Sequence, residues 1–218
     1  MRDSPTEGFA YLIVKRLFDL VVASALLIAL MPVLLLIALA VRISSAGPII
    51  FRQERVGMNG RKFWIYKFRT METISRHVSD TQWTATEENQ VTRVGRYLRR
   101  TSLDELPQLI NVLKGEMSMV GPRPERPYFV EIFKREIPEY MTRHAVKCGL
   151  TGWAQVNGWR GNTSIGKRIQ HDLFYMQHWT LWFDLKILFL TLRRGILQPE
   201  AAFGDRTRRP TGQGTSAS

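Results

Sequence analysis

The run "VVASALLIALMPVLLLIALAV", Val21 to Val41, is 21 residues without a charge. About 20 apolar residues at ~1.5 Å each cover a ~30 Å hydrocarbon core, so the length permits a membrane helix. Buried helices of soluble proteins rarely stay charge-free for this long. A cleaved signal peptide fits poorly, because the run is longer than an h-region and no small-x-small site ends it. Pro32 lies mid-run. It removes one backbone donor and clashes with the carbonyl of Ile28, which predicts a kink. Both flanks are basic: Lys15 and Arg16 before, then Arg42, Arg52, Arg55, Arg61 and Lys62 after. The positive-inside bias holds both ends on the cytoplasmic face. A Pro-kinked, re-entrant helix that dips in and returns satisfies both constraints, provided the carbonyls at the bend find internal partners. Lys15 and Asp19, spaced i,i+4, are expected to pair and neutralise the acid near the lipid headgroups.

A chain of 218 residues holds one domain plus an appendage. Its net charge of +12 points to polyanionic partners: nucleic acid, anionic lipid or phosphorylated substrates. The basic residues are spread along the chain with no helix-turn-helix or RNA-binding signature, so nucleic acid is not an expected partner. The single cysteine, Cys148, excludes an internal disulfide and an all-cysteine metal cage, and reads as a buried, inert thiol. Four histidines show no ligand spacing and read as core or surface residues.

The expected organisation is a flexible N-terminus over 1–10, the re-entrant membrane helix over 11–43, a cytoplasmic-face domain over 44–200, and a disordered basic tail over 201–218. Ile49–Arg52 and Lys62–Phe68 flank "GMNG" and predict a β-hairpin. Residues 72–92 read as a surface loop, a candidate lid. Ser102 is expected to cap a helix opening at Leu103, with Glu105 completing a capping box and Gly115 ending the helix. Residues 125–145 predict a helix broken at Pro138, and "GLTGWAQVNGWRGN" a loop with a short strand. The segment Trp179–Leu192 carries Trp and Phe with basic ends; an interfacial amphipathic helix and a core helix both stay open. The fold class is therefore α+β: a mostly helical monotopic membrane protein with a re-entrant N-terminal helix, a small β-hairpin and interfacial amphipathic helices.

The chemistry concentrates in "LRRTSLDELPQLINVLKGEMSMVGPRP", Leu98 to Pro124. Adjacent helical residues point ~100° apart, so one acid of the pair Asp104–Glu105 can cap while the other faces outward. Nearby arginines keep Asp104 ionised. An ionised aspartate among cations can hold Mg2+ against a pyrophosphate, or attack phosphorus to form an acyl phosphate. Arg123 stands between Pro122 and Pro124, which stiffens its backbone and pre-aims its fork. Lys67 and Arg69 alternate with aromatic residues along a strand, placing both charges on one face, either a cationic site or a solvated sheet surface. Phosphate chemistry at a bilayer surface is the inference.

"KRLFD", "GPIIFRQERVGMNGRKFWIYKFRTM", "TSLDELPQLINVLKGEMSMVGPRP" and "GLTGWAQVNGWRG" occur in that order. Over roughly residues 11–196 the chain resembles the bacterial sugar transferases, monotopic polyprenyl-phosphate phosphoglycosyl transferases. The resemblance implies transfer of a sugar 1-phosphate from a UDP-sugar to undecaprenyl phosphate, with release of UMP and a need for Mg2+. It implies that Asp104 is the nucleophile and a metal contact, that Glu105 is its dyad partner, and that Arg99 and Arg123 match phosphate-binding arginines. It also implies a re-entrant helix at the cytoplasmic face of the bacterial inner membrane, in contact with anionic lipid. Met31-Pro32 stands where the family usually has Ser-Pro. "GWAQVNGWRG" looks like the glucose and galactose phosphotransferases that begin exopolysaccharide assembly. A homodimer is compatible with this reading. The alternatives are a non-catalytic membrane scaffold of a polysaccharide assembly complex and a membrane-tethered nucleic-acid binder.

Overall fold

The computed structural model describes residues 9–72, 91–161 and 163–197. The expected tail over 201–218, nearly all of the candidate lid, and most of the expected flexible N-terminus lie outside the described residues.

Helix α1, Phe9–Ser44, runs 36 residues and continues through Pro32. A straight helix of that length reaches about 54 Å. Its burial is not uniform. Tyr11, Lys15, Asp19 and Ala23, spaced by four, form a buried stripe near the N-terminal end, and Ile37 and Val41 are buried near the other end. Between them Ile28, Met31, Val33, Leu35 and Leu36 are exposed. Ala23, with Phe18, Val22 and Leu27, joins the main core around Ile65, Leu109, Met117 and Tyr175. Ile37 and Val41 pack with Phe68 and Leu98. Both flanks of α1 therefore rest on one domain.

The flank charges behave differently from the expectation. Lys15 and Asp19 do pair, at 3.5 Å, but inside the protein rather than at headgroups. Lys15 donates to Asp184 at 2.7 Å, and Asp19 Oδ1 accepts from Ser118 Oγ and the Met119 N–H. Arg16 donates to the carbonyls of Val112 and Leu113. Buried charges need partners, and here those partners are protein groups.

The hairpin forms as expected, with a longer first strand: β1, Ile50–Val56, pairs antiparallel with β2, Lys62–Phe68, from Ile50 opposite Phe68 to Val56 opposite Lys62. Asn59 and Gly60 adopt φ of +55° and +72° in the connecting turn, where asparagine and glycine cost least. Helix α2, Arg93–Thr101, was not expected. Thr92 Oγ1 caps it by accepting from the Gly95 N–H, and Gly95 packs so closely on Thr70 that a Cβ would stand 2.0 Å from the Thr70 carbonyl oxygen. The predicted capping box is overturned. Ser102 ends α2 in the left-handed region at φ +56°, and its side chain caps nothing. Leu103–Gln108 then forms a 3-10 turn, and only Leu109–Lys114, α3, is α-helical. Pro107 inside the turn lacks the N–H that an α-helix would use. Gly115, at φ +83°, ends α3 as expected.

β3, Ser118–Val120, lies parallel to β4, Gly149–Thr151. Strands of three residues leave no readable alternation. Between them come α4, Pro127–Glu136, which stops short of Pro138, and a 3-10 turn over Tyr140–Ala145. The last described elements are α5, Trp153–Val156, α6, Ile165–Gln177, and α7, Leu181–Leu197. Helix α7 has one side in the core and one exposed apolar side. Asp184 and Ile187 are fully buried, whereas Trp182, Leu185, Phe189 and Leu192 present an exposed apolar face. Cys148 is buried, and burial pushes its thiol up to about 12.

Candidate active site

The acid pair sits where three elements meet. The αL turn at Ser102 swings the chain out of α2 and lays the 3-10 turn against β2. Asn111 on α3 fixes that approach: its amide donates to the Trp64 carbonyl at 2.7 Å and to Glu116, and its oxygen accepts from the Tyr66 N–H. Lys67, next along β2, then meets Glu105 Oε1 at 2.7 Å. From the other side the Arg123 fork engages both carboxylate oxygens, Nη1 to Oε2 at 3.2 Å and Nη2 to Oε1 at 2.5 Å. Two parallel N–H···O bonds fix orientation as well as charge. Burial alone would raise the Glu105 pKa, but the charges and hydrogen bonds of Arg123 and Lys67 outweigh it and hold the carboxyl well below its usual range. Asp104, its neighbour, is also buried.

Of the six residues singled out from sequence, Lys67, Glu105 and Arg123 are brought together directly, with Asp104 beside Glu105 in the same turn. Arg99 lies in the last turn of α2, where its Nε donates to Thr70 Oγ1 at 2.9 Å. Arg69 is held elsewhere. Its N–H continues the hairpin ladder to the Ile49 carbonyl at 2.9 Å, and its guanidinium turns to the foot of α1 and donates to the carbonyls of Ser45 and Ala46 at 2.6 and 2.8 Å, whereas Lys67 meets Glu105. Sequence reasoning missed Asn111, which looks like an ordinary mid-helix residue. It also missed Arg160, whose Nη2 reaches Ser102 Oγ at 3.3 Å.

The donor set bears on Mg2+. Among the described residues no group of three His, Cys, Asp or Glu side chains forms a metal cage. Glu105 is bound by two cations, and Asp104 is the carboxylate beside it in the same turn. Mg2+ commonly binds through one or two carboxylates plus substrate phosphates and keeps several waters. The residues present fit an ion of that kind, shared with a diphosphate.

Comparison with known proteins is consistent with this geometry. The family model described as bacterial sugar transferase matches residues 10–198. The chain is 49% identical over 203 residues, 91% of its length, to the UDP-glucose:undecaprenyl-phosphate glucose-1-phosphate transferase of Escherichia coli (strain K12), of which it covers 43%. It is 49% identical over 183 residues to the protein of that name from Caulobacter vibrioides, covering 82% of this chain and 68% of the relative. It is 42% identical over 186 residues to the UDP-N-acetylgalactosamine-undecaprenyl-phosphate N-acetylgalactosaminephosphotransferase of Aeromonas hydrophila, 84% of this chain and 44% of that protein. The chain thus spans less than half the length of the Escherichia and Aeromonas relatives. With nearly its whole described length matched and its acid pair set among cations, the chain belongs to the bacterial sugar transferase family.

Proposed function

We propose that this protein moves a hexose 1-phosphate, glucose or galactose 1-phosphate, from a UDP-sugar to undecaprenyl phosphate and releases UMP, as the first membrane step of exopolysaccharide synthesis. One observation carries the reading: a buried aspartate stands next to a glutamate whose charge is already matched by Lys67 and Arg123. Glu105 thereby serves as an anchor for cations, and Asp104, buried beside it in the same turn, is the carboxylate to which this reading gives the chemistry.

In the first half-reaction an Asp104 carboxylate oxygen attacks the sugar-bearing phosphorus. The bond from that phosphorus to the bridging oxygen breaks, and UMP leaves with the bridging oxygen and its electron pair. An aspartyl phosphosugar remains. In the second, a phosphate oxygen of undecaprenyl phosphate attacks the same phosphorus and expels the Asp104 carboxylate. Both nucleophiles are anions, so neither step needs a base. Arg123, Lys67 and Arg99 are set in place before charge develops on the transferring group, which is how fixed donors lower such a barrier. Bound Mg2+ would neutralise charge on the diphosphate, with Asp104 as its protein contact.

The membrane arrangement follows from α1 and α7. A helix that crossed the bilayer would put its two ends on opposite sides, whereas both flanks of α1 pack on one domain and the apolar side chains between them are exposed. That packing supports a re-entrant helix entered from the cytoplasmic face of the inner membrane. The exposed Trp182–Leu192 face of α7 suits the headgroup–acyl boundary, where anionic lipid is met. The acceptor would then reach Asp104 from the bilayer plane.

The test is UMP release from UDP-glucose and UDP-galactose with undecaprenyl phosphate and Mg2+, together with mass spectrometry for a phosphosugar adduct. Release that persists in Asp104→Asn removes Asp104 as nucleophile, and absence of any adduct removes the covalent scheme.

A further inference from the structure

The densest buried charge cluster outside the Asp104 pocket lies behind the Pro122-Arg123-Pro124 segment. The side chains of Arg143, Asp172, Arg168 and Glu125 are between 2 and 7% exposed. Arg143 Nε donates to Asp172 Oδ2 at 2.9 Å, and Arg143 Nη2 reaches the same oxygen at 2.6 Å. That Nη2 also donates to the Arg123 backbone carbonyl at 2.9 Å. The neighbouring carbonyls are held too. Pro122 O accepts from the Gly149 N–H, Pro124 O from Arg55 Nη1 at 3.2 Å, and Glu125 O from the Val56 N–H. Four successive carbonyls are thus gripped, and the one belonging to Arg123 is gripped by a guanidinium that is itself locked by a carboxylate.

One turn before Asp172 on α6, Arg168 performs a parallel task. Its Nη1 donates to Glu125 Oε1 at 2.8 Å and its Nη2 to the Gly161 carbonyl at 2.6 Å. Gly161 follows Arg160, the residue that reaches Ser102. Residues 168 and 172 share one helix face by the i,i+4 rule. A single face of α6 therefore holds both arginine-bearing loops that meet the acid turn.

Burying this many charges is a poor route to stability, because apolar packing of similar volume often does as well or better. An ion pair provides something apolar packing cannot, a directional donor aimed at a chosen carbonyl. We propose that the Arg143–Asp172 pair, with Arg168 beside it, is a positioning device that sets the Arg123 fork on Glu105 and Arg160 on Ser102. Its consequence for catalysis rests on the transferase reading above.

Asp172→Asn keeps the size and removes the charge that locks Arg143. The expected result is a fall of about 10–100-fold in kcat/KM for UMP release per folded enzyme, since a misplacement of about 1 Å can cost 100-fold. Asp172→Glu recovers most of that loss. Arg143→Lys keeps the charge with fewer directed donors, shows a similar fall, and replaces Asp172→Asn should the latter fail to fold. Combined with Arg123→Lys, the losses are less than multiplicative, because both changes act through one group. Wild-type kinetics per folded molecule in the Asp172 and Arg143 variants, or strictly multiplicative losses, overturns the proposal. A structure of either variant with the Arg123–Glu105 fork unmoved overturns it as well. That structural arm stands whether or not the wild type releases UMP, so failure of the transferase reading and failure of the positioning device are separately visible.

Discussion

Two carboxylates held by cations in this protein have opposite fates, Asp184 fully buried and Glu105 part-buried. Asp184 on α7 accepts hydrogen bonds from Lys15, Tyr175 and Trp179, and Glu105 is held by Lys67 and Arg123. Burial pushes the Asp184 carboxyl up, against the opposing pull of Lys15 and the hydrogen bonds. For Glu105 the two full cations win over burial and the carboxyl falls well below its usual range. Asp184 closes an internal knot that ties α1 to α7. Glu105 stands in a site that gathers cations beside a second acid.

The largest expected effect is at that second acid. Asp104→Asn should lower UMP release by at least about 1,000-fold, in line with removal of nucleophiles elsewhere, while the thermal midpoint stays near wild type. A small loss of activity would break the contrast, since the cation-rich site would then lack its reactive member. Asp184→Ala should act on stability: about 3–5 kcal/mol lost in denaturant unfolding, because Lys15 is left buried without its closest counter-charge. A well-folded Asp184→Ala protein would mean that the knot is not an anchor. Glu105→Gln sharpens the comparison from the other side. Lys67 and Arg123 are 17 and 26% exposed, so water can replace part of what they lose, and the stability cost should be about 1 kcal/mol or less. Its loss should appear in kcat for UMP release, on the order of 10–100-fold, as the Arg123 fork drifts.

The smallest effect concerns a buried base with no carboxylate bound to it. His144 Nδ1 contacts only the Gly57 carbonyl, and burial followed by the charge of Arg143 lowers its pKa to about 4. An unfolded chain takes up this proton near pH 6.5, whereas the folded one resists it until about pH 4. Stability therefore falls as pH drops from 6.5 toward 4, by at most about 1.4 kcal/mol per unit from this group. Glu105 adds a loss only below the ordinary carboxylate range, as pH falls through its depressed value. His144→Gln, which can still donate to Gly57, should flatten the unfolding slope between pH 6 and 5; an unchanged slope would show that His144 titrates normally.

How far the site can be read in advance depends on the range of the forces involved. The dyad, the cationic context and Arg123 are adjacent in the chain, so composition and spacing reveal them. Arg69 and Lys67 look equivalent along the strand and differ in their partners, Glu105 for Lys67 and the carbonyls of Ser45 and Ala46 for Arg69. Asn111, Arg143 and Asp172 carry no local mark of their roles, since each acts on groups at least 20 residues away, counting from its farthest bonded partner. Ser102 misled for the same reason: a capping sequence was present, but the packing of α2 on Thr70 forced that residue to reverse the chain instead.

By itself the sequence determined what is additive along the chain: a charge-free segment long enough to cross a bilayer's hydrocarbon core, alternation that makes a hairpin, and an acid pair within reach of arginines. The tertiary structure alone decided which charges gather around the acid pair and which tie the molecule together. Lys15, Arg16 and Arg55 read as basic flanks of the apolar run and Arg69 as a phosphate-binding cation, and all four bind internal carboxylates or carbonyls. A charge removed from water must find its partner in three dimensions, and no spacing along the chain records where that partner will be.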